Sequence, residues 1–215
     1  VAAPRLALID YDAGNLPSIT RALTRAGAEV TVIREPVAAA WDGIVLPGVG
    51  AYGPAMARLT AAGFTDWLRR QVRSGTPLVG VCLGMQLLYD WSAEGGTVPG
   101  LALLRGDVQS LASDVKIPHM GWNSLTIRGR VGVLDGIPDG AYVYFVHSYI
   151  VTPRERDDVV ATTSYGVEFP AVVVRDRLVG LQFHPEKSGE IGLRIIRNIV
   201  GWVAALSPGS GAVVP

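Results

Sequence analysis

The run Pro77-Leu78-Val79-Gly80-Val81-Cys82-Leu83-Gly84-Met85-Gln86-Leu87-Leu88 limits what this chain can fold into more than any other stretch. A short apolar segment meets a Gly-X-Cys-X-Gly turn and passes directly into a second apolar segment that reads as a helix. This is the grammar of a nucleophile elbow, with cysteine where serine usually stands. Such a turn strains the backbone of its central residue, and strand and helix approach so closely that flanking side chains have no room. Gly80 and Gly84 supply that room. The turn also puts Cys82 at a helix N-terminus, where the dipole and free N–H groups favour a thiolate. The Leu83 N–H is then placed to receive an oxyanion. A sole cysteine is more often a small buried residue than a reactive one. The two glycines at elbow spacing turn the reading towards a nucleophile.

The rest of the chain supplies a frame for that turn. Its 215 residues suit one domain over 1–206, followed by a small, Gly/Pro-rich and flexible tail at 207–215. Nineteen basic residues balance nineteen acidic ones, and no basic block or stripe points to nucleic acid or an anionic membrane surface. No apolar run is long enough to span a bilayer, and no secretory pattern opens the chain. One cysteine excludes an internal disulfide framework, and a free thiol fits a reducing cytoplasm. Three histidines and that cysteine lack metal-ligand spacing, so neither a metal nor a cofactor is expected.

Arg5–Asp10 reads as a buried strand, and Ile19, Ala22, Leu23 and Ala26 as one face of a helix stopped by Gly27. Further strands are expected at Glu29–Ile33, Gly43–Leu46 and Pro77–Val81, with a helical stretch over Ala55–Ser74 broken at Gly63. These spacings predict an α/β fold, a flavodoxin-like three-layer sandwich with a mostly parallel central sheet. Ligands in such sheets sit beyond the carboxyl ends of the strands. Asp10-Tyr11, Pro47–Gly50 and Cys82 should therefore share one rim. The second half is β-rich, with strands expected at Val108–Leu111, Ser124–Arg128, Ala141–Val151, Val159–Ser164, Pro170–Arg175 and Leu178–Phe183. Asp176-Arg177 suggests a hairpin, and a helix over Gly189–Leu206 closes the fold.

A thiol nucleophile needs a base, and the base needs a carboxylate to hold its tautomer. His184 and Glu186 leave a strand two residues apart, so they can meet on one side of an extended backbone. Alone, His-X-Glu is more often a surface ion pair; with the elbow it completes a Cys82–His184–Glu186 triad. Pro47-Gly48-Val49-Gly50 lets a backbone N–H approach a ligand, as an oxyanion hole requires, and is otherwise an ordinary strand-to-helix turn.

Gly80–Gln86 together with His184-Pro185-Glu186 resembles the triad of class I glutamine amidotransferases. Gly14-Asn15-Leu16, Pro47–Gly50, Pro118-His119-Met120-Gly121-Trp122-Asn123, Tyr144–Tyr149 and His184–Ser188 narrow the resemblance to the glutaminase subunits of imidazole glycerol phosphate synthase in histidine biosynthesis. The match runs from Leu6 to Leu206. It implies that the Cys82 thiolate attacks the side-chain amide of L-glutamine, with Leu83 and the Val49–Gly50 segment holding the oxyanion. His184 would protonate the departing ammonia and then activate water, with Glu186 orienting it. The ammonia would pass to a separate (β/α)8 cyclase subunit in a heterodimer. By the same resemblance Gly48, Gln86, Glu94, Ser148 and Tyr149 bind glutamine, while Asn15, Trp122 and Lys187 face the partner. Asp12 stands where the first loop of the family usually carries a small residue, often glycine. His119 and His147 read as structural or interface residues. The alternatives are the glutaminase subunit of another synthase (anthranilate-type), a stand-alone Cys-His hydrolase, or a silent binding subunit. Met85 and residues 118–123 speak against the first, Trp122–Asn123 and Lys187-Ser188 against the second, and an intact triad against the third.

Overall fold

A computed structural model describes residues 2–12, 15–111 and 114–207. Gly14 and residues 208–215 of the expected tail lie outside them. The first half runs β1 (Arg5–Ile9), α1 (Leu16–Arg25), β2 (Glu29–Ile33), β3 (Gly43–Leu46), α2 (Tyr52–Ala61), α3 (Phe64–Arg73), β4 (Leu78–Val81) and α4 (Leu83–Leu87). Short strands β5 (Trp91–Ser92) and β6 (Val98–Pro99) lead into β7 (Gly106–Ser110), β8 (His119–Ser124) and β9 (Thr126–Ile127). There follow β10 (Tyr142–His147), β11 (Tyr149–Pro153), β12 (Val159–Tyr165), β13 (Val167–Arg175), β14 (Leu178–Leu181) and α5 (Gly189–Leu206).

The main sheet has eight strands in the order β2-β1-β3-β4-β14-β13-β12-β9. Pairing is parallel from β2 through β14 and antiparallel beyond it. Alternation along each strand divides the interior in two. Leu6, Leu8, Val45, Val79 and Val81 pack towards α1 and α5, whose Ile19, Leu23, Ile195, Ile199 and Val203 belong to the same cluster. Ala7, Ile9, Ile44, Leu46 and Leu78 pack on the other side with Leu59 of α2 and Phe64 and Leu68 of α3. Strands covered on both faces read as unbroken apolar runs, and β3 and β4 are buried throughout. This is the expected three-layer sandwich. No described helix is long and apolar enough to cross a membrane.

Gly63 separates α2 from α3 with φ 79°, and the Asp176-Arg177 turn joins β13 to β14 as a hairpin. The middle of the chain departs from expectation. Ala141–Val151 is two strands: β10 pairs with β8, and β11 with β7 in a separate four-stranded sheet. The apolar run carries no break signal, yet Ser148 belongs to neither ladder, and its carbonyl accepts from Leu111 N–H at 2.9 Å. The strand expected at Ser124–Arg128 is instead the end of β8 followed by β9. β8 escapes an apolar-alternation reading because its first inward position is a histidine, His119, with Gly121 at the next.

Candidate active site

β4 delivers Cys82 to the carboxyl rim, and the turn into α4 gives it φ 55° and ψ −111°. A positive φ at a residue with a Cβ is the strain an elbow demands. The flanking glycines are required by packing. A Cβ on Gly84 would lie 1.8 Å from the Leu46 carbonyl oxygen, and one on Gly80 would lie 2.7 Å from that of Gly84. The helix has only five residues, so its macrodipole is short and the anion-favouring groups at Cys82 are mainly local N–H groups. The thiol is buried; Sγ lies 3.7 Å from the Val146 carbonyl and 3.9 Å from Gln182 Nε2.

β14 runs parallel beside β4, which brings the next residues to the same rim. His184 Nδ1 and Glu186 Oε1 are 2.9 Å apart, and both side chains are only 4% exposed. The surface ion pair that His-X-Glu alone would allow is thus a buried pair. Burial pulls the His184 imidazole down, but Cys82 and Glu186 outweigh it and push its pKa up to about 10. Cys82 is near enough to raise the ring as a hydrogen-bonding neighbour, although Nε2 is buried and falls short of a well-formed hydrogen bond. A protonated imidazole with a free, water-shielded Nε2–H beside a thiol is arranged to give that proton to a leaving group.

In front of Cys82 lies a cavity of about 360 Å³ lined by Val49, Gly50, Cys82, Leu83, Gln86, Glu94, Pro118, Val146, His147, Ser148 and Tyr149. It therefore gathers the expected oxyanion residues and four of the five expected substrate residues. The fifth, Gly48, lies behind them in a narrow crevice with Asn15, His184 and Glu186. Its lack of a side chain answers a packing demand, since a Cβ would come within 2.5 Å of the Tyr11 hydroxyl and 2.9 Å of Leu83 Cβ. Gly50 has φ 94° and open space around it, so conformation and not crowding calls for glycine there. Asp12 is also left-handed, φ 59°, a region that aspartate tolerates. Asn15, Trp122 and Lys187 are exposed. Trp122 packs edge-on against Tyr144 at 5.9 Å, and Lys187 Nζ lies 6.0 Å over the same ring.

Three buried polar residues around the cavity, Gln182, Tyr11 and His147, were not visible as site residues in the sequence. Gln86 Nε2 donates to the Tyr149 carbonyl at 2.9 Å and to Gln182 Oε1 at 3.2 Å. Both amide protons of Gln86 are thereby used, and what it can still offer a ligand is the acceptor Oε1. Gln182, wholly buried, is fixed by that bond with its amide N–H towards Cys82 Sγ. Tyr11 donates its hydroxyl to the Pro47 carbonyl at 2.8 Å, and burial, reinforced by Cys82, pushes the phenol up so that it remains a donor. Its position directly after the first strand was the available signal. His147 lines the cavity and is pulled down to about 3, chiefly by burial. Glu94 Oε2 accepts the Tyr52 N–H at 2.8 Å, holding the start of α2 at the cavity mouth. Among the described residues, no group of three or more His, Cys, Asp or Glu side chains could hold a metal ion.

The sequence model of the family described as glutamine amidotransferase class-I matches residues 7–201. The chain is 48% identical over 215 residues to an imidazole glycerol phosphate synthase subunit HisH from Synechococcus sp. (strain JA-3-3Ab), covering 98% of this chain and 99% of that one. It is 47% identical to the subunit of the same name from Moorella thermoacetica, covering 90% and 92%. Among solved structures, PurLQS from Thermotoga maritima superposes with a TM-score of 0.75 at 19% identity, over 93% of this chain and 99% of that one, and shares the fold. An elbow cysteine, a carboxylate-held histidine on the adjacent strand end and a family match across nearly the whole chain agree: this protein belongs to the class-I glutamine amidotransferases.

Proposed function

We propose that this chain is the glutaminase subunit of an imidazole glycerol phosphate synthase, hydrolysing L-glutamine and delivering ammonia to a (β/α)8 cyclase subunit in a heterodimer. The observation that carries the chemistry is the buried His184–Glu186 pair, with its unpartnered Nε2 next to a cysteine held at φ 55°. The choice of synthase rests on the HisH relatives, which are nearly half identical over almost their full length.

The Cys82 thiolate adds to the amide carbon, and the oxyanion is held by N–H groups of Leu83 and the Val49–Gly50 segment. The tetrahedral intermediate collapses as His184 Nε2 gives its proton to the amine, so ammonia leaves and a glutamyl thioester remains. His184, now neutral, takes a proton from water; the hydroxide adds to the thioester carbon, and expulsion of the thiolate releases glutamate. Glu186 holds Nδ1–H throughout. Gln86 Oε1 and the Glu94 carboxylate suit the α-ammonium of the substrate, and the Ser148–Tyr149 segment its carboxylate. The cyclase subunit would dock on the outward face of β8 and β10, where Met120, Trp122 and Tyr142 are 62%, 51% and 60% exposed. Lys187 lies over the Tyr144 ring of that face, and Asn15 lines the crevice behind His184. A cytoplasmic location would keep Cys82 free.

The test is glutamate release from glutamine by the chain alone and with the cyclase subunit and its nucleotide ligand. Turnover that is low alone and rises in the full mixture is expected, and Cys82→Ala should abolish it while preserving the cyclase reaction driven by ammonium salt. Silence in the full mixture with folded protein would refute the assignment. High turnover that ignores the partner would favour a stand-alone hydrolase.

A further inference from the structure

Behind the cavity wall runs a chain of four hydrogen bonds that ends on a carbonyl oxygen at each side. The Tyr149 carbonyl meets His147 Nδ1 at 2.9 Å, and His147 Nε2 meets His119 Nδ1 at 3.1 Å. His119 Nε2 meets the Asn123 side-chain oxygen at 3.1 Å, and the Asn123 nitrogen meets the Ser164 carbonyl at 2.7 Å. Each link needs one hydrogen, and the terminal carbonyls bring none. The Asn123 amide can serve one of its two links as donor and the other as acceptor. Two neutral histidines bring one N–H each. That makes three hydrogens for four links, and no choice of tautomers or flip of Asn123 supplies the fourth. The neutral chain leaves two acceptors facing each other, at His119–Asn123 or, after a flip, at Asn123–Ser164.

We propose that His119 and His147 together hold one proton beyond neutrality, and that this buried positive charge, behind the Val146–Tyr149 wall, helps recognise the carboxylate of the amino-acid substrate. Substrate recognition here rests on the glutaminase reading above; the proton count does not. The charge belongs on His119. His147, held low by burial and lowered further by its neighbours His119 and His184, remains the acceptor at Nε2. Burial pulls the His119 imidazole down on balance, offset only in part by its bond to Asn123, so the charge rests on the hydrogen count and on the ring's neighbours. Two further contributions favour the cation. An unsatisfied link at the buried His119 ring costs about 1–3 kcal/mol, and a flip of Asn123 only moves the mismatch out to the exposed Ser164 carbonyl. The His119 ring also stacks on Tyr165 at 4.1 Å and Phe145 at 5.0 Å, whose faces attract positive charge. The titratable groups acting on the pair are each other and His184, and Tyr165 is the phenol stacked on His119.

The test is a long-range ¹H–¹⁵N titration of the three imidazoles in the full chain, with wild type compared with Asn123→Leu. At pH 6 both nitrogens of His119 should carry hydrogen and His147 only Nδ1. Asn123→Leu removes the last two links, so two neutral histidines satisfy what remains and the extra proton should be lost. With that loss, KM for glutamine at pH 6, measured with the cyclase subunit present, should rise roughly tenfold with kcat within about twofold, as a charge acting at partly screened distance would give. A bare nitrogen on His119 at pH 6 in wild type overturns the proton count. Loss of the proton with KM unchanged overturns the recognition role. If wild type shows no glutaminase activity while His119 is doubly protonated, the glutaminase reading fails and the proton count stands.

Discussion

Cys82 sits where glycine would be at ease, and the strain can be measured by removing the side chain in two steps. At φ 55° and ψ −111° a residue with a Cβ is outside the broad allowed regions, whereas glycine occupies the mirror of an ordinary extended conformation. Holding a non-glycine residue there costs of order 1–3 kcal/mol. Glycine loses roughly 0.5–1 kcal/mol more than alanine in backbone entropy on folding, so Cys82→Gly should exceed Cys82→Ala in stability by a net ~1–2 kcal/mol. For a chain of this size 1 kcal/mol moves Tm by about 2–4 °C, which makes the gap ~2–8 °C. Both variants lose Sγ and its contacts to Val146 and Gln182, so those losses cancel and the Cβ is isolated. Thermal unfolding of the two variants at one pH reads the difference directly, and neither should hydrolyse glutamine. Equal melting, or alanine above glycine, would show that the elbow is relaxed and that its geometry stores no strain for the nucleophile.

Other outcomes follow from the same geometry. Gly84→Ala puts a Cβ against the Leu46 carbonyl at 1.8 Å and should destabilise by about 3 kcal/mol or more, read as a fall in the urea midpoint. Glu186→Gln keeps a hydrogen-bonding partner for His184 but removes its charge, and should lower kcat by roughly 10²–10⁴ with a smaller change in KM. The folded His184 is raised from 6.5 to about 10, so its contribution to stability is complete below pH 6.5 and lost as pH climbs through about 10. Wild-type stability should therefore decline across that window, and the decline should be shallower in Glu186→Gln. Trp122→Ala should leave Tm nearly unchanged yet weaken cyclase binding by about 2 kcal/mol, some 30-fold in Kd by calorimetry.

The parts that sequence made legible share a property: each has a local cause. Gly80 and Gly84 are legible because strand–helix contact excludes a Cβ, and β3 and β4 because burial on both faces leaves only apolar residues. His184 and Glu186 follow from the period of an extended chain. The illegible parts depend on partners far along the chain. Ser148 breaks a continuous apolar run because β10 and β11 belong to different sheets, and nothing near residue 148 encodes that. Gln182 acquires meaning only when Gln86 fixes its amide from 96 positions away. His119 and His147 sit at core positions of β8 and β10, where a reading by hydrophobic alternation has no place for a polar ring.

Nucleophile and base are held by different neighbours, and this bears on why the chain would wait for a partner. Cys82 is fastened to β14 through its N–H, which donates to the Leu181 carbonyl at 2.7 Å. His184 is fastened to β10 instead: its N–H donates to the Tyr144 carbonyl at 2.9 Å. Ser188 Oγ donates to the His184 carbonyl at 2.7 Å and accepts the Tyr144 N–H at 2.9 Å. Tyr144 is the residue on which Trp122 and Lys187 pack, on the face open to docking. A partner that presses on β8 and β10 therefore acts on the backbone of the base through two short hydrogen bonds, while the elbow stays anchored in the main sheet. Since Nε2 lies close to the thiol but short of a well-formed hydrogen bond, a displacement of β10 would tighten or loosen that contact. Pocket residues 146–149 continue from the same strand, so the base and the substrate wall would move together, and activation by docking needs no separate lid.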